Sequence, residues 1–395
     1  MSRPIVLCLA SFFKGQRLLE AYHQHGASLV LVAEAQLKDQ PWPDFLEEKF
    51  FVYDMRNLGD LKRAIAYLAR TRRFELVVPL EEYVMETAAF LREQFQLPGI
   101  GETQTRLVRD KLAMRHRARQ RGVAVPGFVH LCHHPEVDDF THSVPPPWMV
   151  KPRCEGGAVQ IEKLHTPPEV WKTIERLGDR QADHLLEQFI PGEVYHVDSL
   201  LYDGEILLSV ASRYGRPPFN VWHEGGVFSS RTLPDHDPVA RGLADINRQT
   251  LQALEVERGV THAEFIRTQD GKLYFLEVGA RVAGANLDRL VEAATGVNLF
   301  DELARQELSR LAGSYHFEGA RNRCAGLVVC LSKICDPDLR EFDDPEIVWR
   351  LQKGNHAGLV VAAETAHRVE VLVNDYVERF TAHYLAVLPP ADRPA

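Results

Sequence analysis

Residues 260–281, VTHAEFIRTQDGKLYFLEVGAR, read as two apolar strands joined by an Asp270-Gly271 turn, with an acid on each arm. Side chains alternate along a strand, so His262, Glu264 and Ile266 share one face. Glu277 lies on the returning arm, where a hairpin brings it toward Glu264. Two close carboxylates are costly unless a cation sits between them. Mg²⁺ takes hard oxygen ligands, commonly one or two carboxylates completed by water and phosphate, so it is the natural occupant. The glycine turn after Glu277 delivers Arg281, a fixed cation for an oxyanion beside such a metal. The competing reading is a solvated edge hairpin whose acids face water.

Bulk properties narrow the classes. The chain has 395 residues and 45% hydrophobic content, enough for two or three domains. Its net charge of -9 argues against a general nucleic-acid binder, which needs clustered Lys and Arg. Without a run of ~18 apolar residues, no membrane span is expected. The apolar start, MSRPIVLCLASFFKG, is short and lacks a small-x-small cleavage site, so a first buried strand, Ile5 to Ala10, is expected instead of a signal peptide. Cys8, Cys132, Cys154, Cys324, Cys330 and Cys335 are scattered without CxxC pairs, as reduced thiols of a cytoplasmic enzyme would be.

The first hundred residues alternate strand and helix, which predicts a Rossmann-like parallel α/β domain covered on both faces. No GxGxxG follows its first strand, so it has no nucleotide fingerprint of its own. A helix is expected from about Arg106 to Arg121, and a hairpin turning at Asp203-Gly204. HLCHHPEVDD, residues 130–139, is rich in potential zinc ligands, but its spacing matches no zinc pattern and it reads as a surface turn.

Further candidates are individually ordinary. Lys111 starts the helix in RDKLAMRHRARQRG, and Lys151 precedes the tight turn Glu155-Gly156-Gly157-Ala158. Glycines let backbone N–H groups approach phosphate, and a lysine adds a point charge. In LLEQFIPGEVYHVDS an apolar strand exits through Glu187 and Phe189 into Pro191-Gly192, and Glu193 follows. Taken in order, lysine, lysine with glycine loop, Glu-x-Phe-Ile-Pro-Gly-Glu, acid, acid and arginine, the sequence resembles the ATP-grasp superfamily in its carboxylate–amine ligase branch, with L-amino-acid ligases and biotin carboxylases.

That resemblance implies an α/β ATP-grasp fold. Residues 1–100 would be the preceding Rossmann-like domain. Residues 101–312 would form two α+β subdomains clasping ATP, the small lid spanning about 125–190, and residues 313–395 a small C-terminal lobe. It implies that Lys111 and Lys151 contact ATP phosphates, Lys151 also lying near the adenine. Residues Glu155, Gly156, Gly157 and Ala158 would close over the triphosphate. Glu187 and Phe189 would bracket adenine, and Glu193 would bind ribose. Glu264 and Glu277 would hold two Mg²⁺ ions, with Mn²⁺ as a substitute, and Arg281 together with Lys151 would serve catalysis. Many relatives carry Asn where this chain has Gly279; water or Asn286 would fill that ligand position.

The implied activity is ATP-dependent formation of an amide or peptide bond through an acyl phosphate, releasing ADP and phosphate. Its partners are a small-molecule carboxylate and an amine, amino acids among them, and a homodimer is common among relatives. The turn-rich, aromatic segment 212–234 is the candidate acceptor loop. There Arg213 or Arg231 would clamp a carboxylate, and His223 or Glu224 would meet an amine. His262 is a further candidate beside the metals. Two alternatives stand beside this reading: a biotin-carboxylase-like enzyme activating bicarbonate, and an ATP-binding protein without catalysis, which Gly279 alone supports.

Overall fold

The computed structural model describes residues 3–157 and 159–388. Ala158, of the glycine loop, lies outside the described residues. Strands β1 (Ile5–Ala10), β2 (Ser28–Glu34), β3 (Glu48–Val52) and β4 (Phe74–Pro79) form a parallel sheet in the order β3-β2-β1-β4. Strand β3, EKFFV, was absent from the expected alternation. It is an edge strand whose two leading charges face solvent, which hides its period. Alternate residues of β1 enter two cores. Val6, Cys8 and Ala10 meet helix α1 (Gln16–Gln24) through Leu18, Leu19 and Tyr22. Leu7 and Leu9 meet α2 (Leu58–Leu68) and α3 (Met85–Phe95). The chain winds outward from β1 to β3, then returns to place β4 on the other side of β1. Such a switch point opens a crevice at the carboxyl ends of the strands.

Helices α4 (Glu102–Leu107) and α5 (Lys111–Gln120) replace the single helix expected from 106 to 121. The break comes from Asp110, whose side chain accepts bonds from the backbone N–H of Leu112 and Ala113 and starts a new helix. Lys111 thereby occupies its first turn. The zinc-like segment turns at residues 131–132 and then, unexpectedly, becomes helical: α6 (His134–Ser143) has a proline in its first turn and buries Val137 and Phe140. Strands β5 (Phe128–His130), β6 (Trp148–Pro152), β7 (Glu162–Leu164) and β8 (His184–Gln188) pair antiparallel in the order β5-β8-β6-β7. Val170, Ile174 and Leu177 of α7 (Pro167–Leu177) share a core with Trp148 and Val150.

The third sheet contains β9 (Glu193–Tyr202), β10 (Glu205–Tyr214), β11 (Phe228–Thr232), β12 (Gly259–Arg267), β13 (Leu273–Gly279), β14 (Cys324–Leu331), β15 (Ile347–Arg350) and β16 (His356–Ala363). Their order is β13-β12-β9-β10-β11-β14-β16-β15, every neighbour antiparallel. The β9–β10 turn takes Asp203 at φ 51° and Gly204 at φ 81°, the left-handed pair a two-residue hairpin requires. The expected loop 212–234 is the end of β10, helix α8 (Pro218–Glu224) and β11. Helix α9 (Pro238–Ala253) covers one sheet face, meeting Val197, Phe265 and Phe275. Helices α10 (Leu287–Thr295) and α11 (Leu299–Ser309) cover the other near Leu200, Val210 and Val260. Helix α12 (Ala366–His383) packs on β14 and β16. All six thiols are free, and no described helix is long and apolar enough to cross a membrane.

Candidate active site

A cleft of about 1040 Å³ is lined by all three sheets. The crevice beside β1 and β4 contributes Lys14 and Glu82, the middle sheet Lys151 and Phe189, and the long sheet Glu264 and Glu277. Arg281 and Asn286, just beyond β13, also line it. Glu264 and Glu277 are directly opposed in the β12–β13 register, so the hairpin does bring the acids together on one face. Lys111 Nζ lies 2.9 Å from Glu277 Oε2, and the Tyr214 hydroxyl donates to Glu264 Oε1 at 2.8 Å. Burial opposes charge on Glu277, but Lys111, with Lys151 and Arg115 behind it, holds the carboxyl down at about 2.

Behind Glu264 runs a chain of buried polar groups on alternate positions of β9 to β12. Ser230 Oγ meets His196 Nε2 at 2.7 Å, and His196 Nδ1 donates to Asp198 Oδ2 at 2.8 Å. Asp198 Oδ1 accepts from His262 Nδ1 at 2.9 Å, and His262 Nε2 lies 3.3 Å from the Tyr214 hydroxyl. Burial opposes a charge on His262, yet the Asp198 carboxylate pushes it up to about 9. His196, at the far end, is held below its usual value by burial. The relay fixes the Tyr214 hydroxyl on Glu264 and presents the His262 edge to the cleft.

Each expected cation meets an acid. Lys111 also donates to the Glu155 carbonyl of the glycine loop. Lys151 pairs with Glu187, which Arg115 grips through Nε at 2.7 Å and Nη2 at 2.6 Å. Arg281 Nε donates to Glu82 Oε2 at 2.6 Å, and Glu82 presses on Gly156, where a Cβ would lie 2.0 Å from its Oε1. Burial opposes charge on Glu82, but Arg281 and Arg109 keep its carboxyl below the usual range. Gly157 lines the cleft, and Phe189 lines it with the Lys163 ammonium 3.8 Å from its ring centre.

Six expected residues stay outside the cleft lining, Gly156 against Glu82 and five others. Glu193 accepts from the Tyr195 hydroxyl at 2.6 Å and pairs with Arg213. Arg231 meets Glu370 at 2.6 Å, Glu224 takes Asn220 at 2.7 Å and Arg216, and His223 Nδ1 lies 3.0 Å from the Phe219 carbonyl. Their neighbours Phe219, Trp222 and Phe228 line the cleft instead. Sequence reasoning missed Lys14, Glu82, Arg115, Asp198, His196, Tyr214 and Lys353. Only Glu81-Glu82, acids closing an apolar strand as Glu277 does, carried a usable signal.

Gly192 is more than a turn residue. A Cβ there would lie 2.4 Å from the Arg267 carbonyl oxygen, backbone that cannot swing aside. Gly192→Ala is expected to cost about 1–3 kcal/mol, read as a lower urea midpoint.

The donor set fits Mg²⁺. Among the described residues, Glu264 Oε2 and Glu277 Oε1 take no protein hydrogen bond, which leaves each acid one hard oxygen for a cation.

No protein-family model matches the chain. An L-arginine-specific L-amino acid ligase of Bacillus subtilis is 26% identical over 266 residues, 66% of this chain and 63% of that protein. The match therefore spans less than two thirds of that relative. Among solved structures, the L-amino acid ligase from Bacillus licheniformis superposes with a TM-score of 0.77 at 17% identity, over 98% of this chain and 100% of that one. The biotin carboxylase domain of Hydrogenobacter thermophilus 2-oxoglutarate carboxylase gives 0.70 at 14% identity, over 96% and 90%. The chain therefore has the ATP-grasp fold of these structures and is similar in sequence to an L-amino acid ligase.

Proposed function

We propose that the chain is an ATP-dependent carboxylate–amine ligase that forms an amide or peptide bond and releases ADP and phosphate. The observation that carries this reading is the register of Glu264 opposite Glu277, in one cleft with Lys111, Lys151 and Arg281. A carboxylate oxygen of the first substrate attacks the γ-phosphorus of ATP, and the bond to ADP breaks. The amine then attacks the acyl carbon, phosphate leaves with the bonding pair, and the amine gives up a proton. Such transfer needs alignment and charge neutralisation more than covalent help. Lys111 and Lys151, already facing the cleft, would turn from their internal acids to phosphate oxygens. Glu155, Gly156, Gly157 and Ala158 would close over the triphosphate. Phe189 would pack on adenine, with Glu187, anchored by Arg115, beside it. Arg281 would steady the acyl phosphate. Mg²⁺ held by Glu264 and Glu277 would neutralise the terminal phosphates during transfer.

The test is ADP release with Mg·ATP across paired amino acids. Release that requires both partners and stops with EDTA is expected, and Glu277→Gln should abolish most of it. Absence of release with every pair would overturn the proposal. The fold match to a biotin carboxylase domain supports a second reading, in which bicarbonate is the activated carboxylate. It predicts ADP release with bicarbonate and biotin and none with amino acids.

A further inference from the structure

Glu264 and Glu277 face each other but are not held alike. Glu277 pairs with Lys111 at 2.9 Å, a lysine that the ligase reading turns toward phosphate. Glu264 is held by Tyr214, to which that reading gives no part. The phenol donates to Glu264 Oε1 at 2.8 Å, and His262 Nε2 stands 3.7 Å from the same oxygen. His262 Nε2 is also 3.3 Å from the phenol oxygen, but the shorter contact, to a charged acceptor, takes the phenol proton. The phenol has no room to swing aside. Tyr214 is 5% exposed, and its ring centre lies 4.6 Å from that of His196 and 5.5 Å from that of Phe228. It sits opposite Ser230 in the β10–β11 register and shares a core with Ala283, Leu287, Leu290 and Leu327. His262 is anchored in turn by Asp198 at 2.9 Å. Glu264 Oε1 is therefore committed before any cation arrives, and among the described residues Oε2 is the oxygen left open.

We propose that Tyr214 sets metal selectivity: by occupying Glu264 Oε1 it confines this carboxylate to coordination through one oxygen, which suits Mg²⁺ and disfavours Ca²⁺. This rests on the ligase reading above, with Mg²⁺ held by Glu264 and Glu277. The two ions make different demands. Mg²⁺ is small, needs about six oxygens in a near-ideal octahedron at ~2.0–2.1 Å, and keeps water and phosphate among them. Ca²⁺ takes about 6–8 oxygens at ~2.3–2.6 Å and often fills its larger shell with both oxygens of one carboxylate. A carboxylate whose second oxygen already accepts from a buried phenol serves the smaller ion and leaves the larger one short. Glu277 lacks this restraint, because its partner Lys111 is the one that phosphate draws away. Tyr214 is thus a positioning residue, acting on the metal through Glu264.

The test is calorimetric affinity for the β,γ-imido analogue of ATP in excess Mg²⁺, in excess Ca²⁺ and in EDTA. It is run on wild type, Tyr214→Phe, Glu264→Gln and the double variant. Contacts that orient a metal ligand carry about a 10- to 100-fold effect on metal affinity. The wild type should bind the analogue tighter with Mg²⁺ than with Ca²⁺ by about that factor. Tyr214→Phe, which keeps the ring and removes one oxygen, should narrow the ratio by about tenfold or more and leave the affinity in EDTA unchanged. In the Glu264→Gln background the same substitution should leave the ratio where it was. Phe228→Leu, which loosens the phenol ring on one side, should narrow the wild-type ratio in the same direction and reads the role should Tyr214→Phe not fold. Equal wild-type affinity with either metal would overturn the role and leave the ligase reading standing. So would an unchanged ratio in the variants, or both metals weakened alike, as a merely structural tyrosine predicts. Affinity that no metal improves would overturn the metal placement of the ligase reading, and this role with it.

Discussion

Alanine in place of Arg281 is expected to lower turnover by about 10²–10³ while ATP affinity changes little. The guanidinium is aimed before any substrate arrives. Its Nε donates to Glu82 at 2.6 Å and its Nη1 to the Val282 carbonyl at 3.1 Å, and Nη2 takes no protein acceptor among the described residues. A donor held from two sides stabilises charge as it develops without reorganising, and that is where such groups gain their effect. Lysine should rescue little, because a single ammonium cannot keep the Glu82 contact and offer a second donor along the same fork. The measurement is steady-state ADP release beside equilibrium binding of ATP. Turnover within about threefold of wild type would sink the role given to Arg281, since one preorganised donor should cost far more. Weaker ATP binding with unchanged turnover would move Arg281 to the nucleotide grip.

The geometry of this cleft was legible where it depends on local pattern. The Asp-Gly turn and the two-residue period placed Glu264 opposite Glu277, and the β12–β13 register agrees. Lys111 was readable as a helix start, although the cap that fixes it, Asp110, divides a run that looked continuous. What pairs with these residues was not legible. Glu82 meets Arg281 across 199 positions and Tyr214 meets Glu264 across 50, separations that no periodicity encodes. Residue type also misled in segment 212–234. Its charged members, Arg213, His223, Glu224 and Arg231, stay outside the cleft lining and are taken up by other protein groups, while the aromatic Phe219 and Trp222 line the cleft. Charge near a turn marks exposure as often as function. The helix at 134–143 was hidden for the opposite reason, since its histidines and acids drew notice away from Val137 and Phe140, which bury it.

Glu187→Leu is expected to destabilise the protein by about 3–5 kcal/mol, a larger effect than any direct loss of ATP contact would give. Glu187 is 1% exposed and Arg115 is 0% exposed, so the leucine leaves a fully buried guanidinium with no counter-charge. Lys151, the carboxylate's other partner, is freed as well and loses its aim into the cleft. Burial opposes the charge on Glu187, but Arg115 and Lys151 outweigh it and hold the carboxyl below its usual range. A carboxyl depressed in the folded state contributes stability above its unfolded value, near pH ~4.3. That contribution fades as pH falls through the lower folded value. Wild type should therefore lose stability on acidification below about pH 4, and Glu187→Leu should lack this component of the loss. Removing both charges, as Arg115→Met with Glu187→Leu, should recover much of the deficit, because a buried pair contributes less than the cost of leaving one partner alone. Urea midpoints of the wild type, Glu187→Leu, Arg115→Met and the double variant, taken at neutral and acid pH, close the cycle. A single Glu187→Leu chain within about 0.5 kcal/mol of wild type would show that the carboxylate does not hold the middle sheet against α5. Its service to the cleft would then have to come from contact with the nucleotide itself.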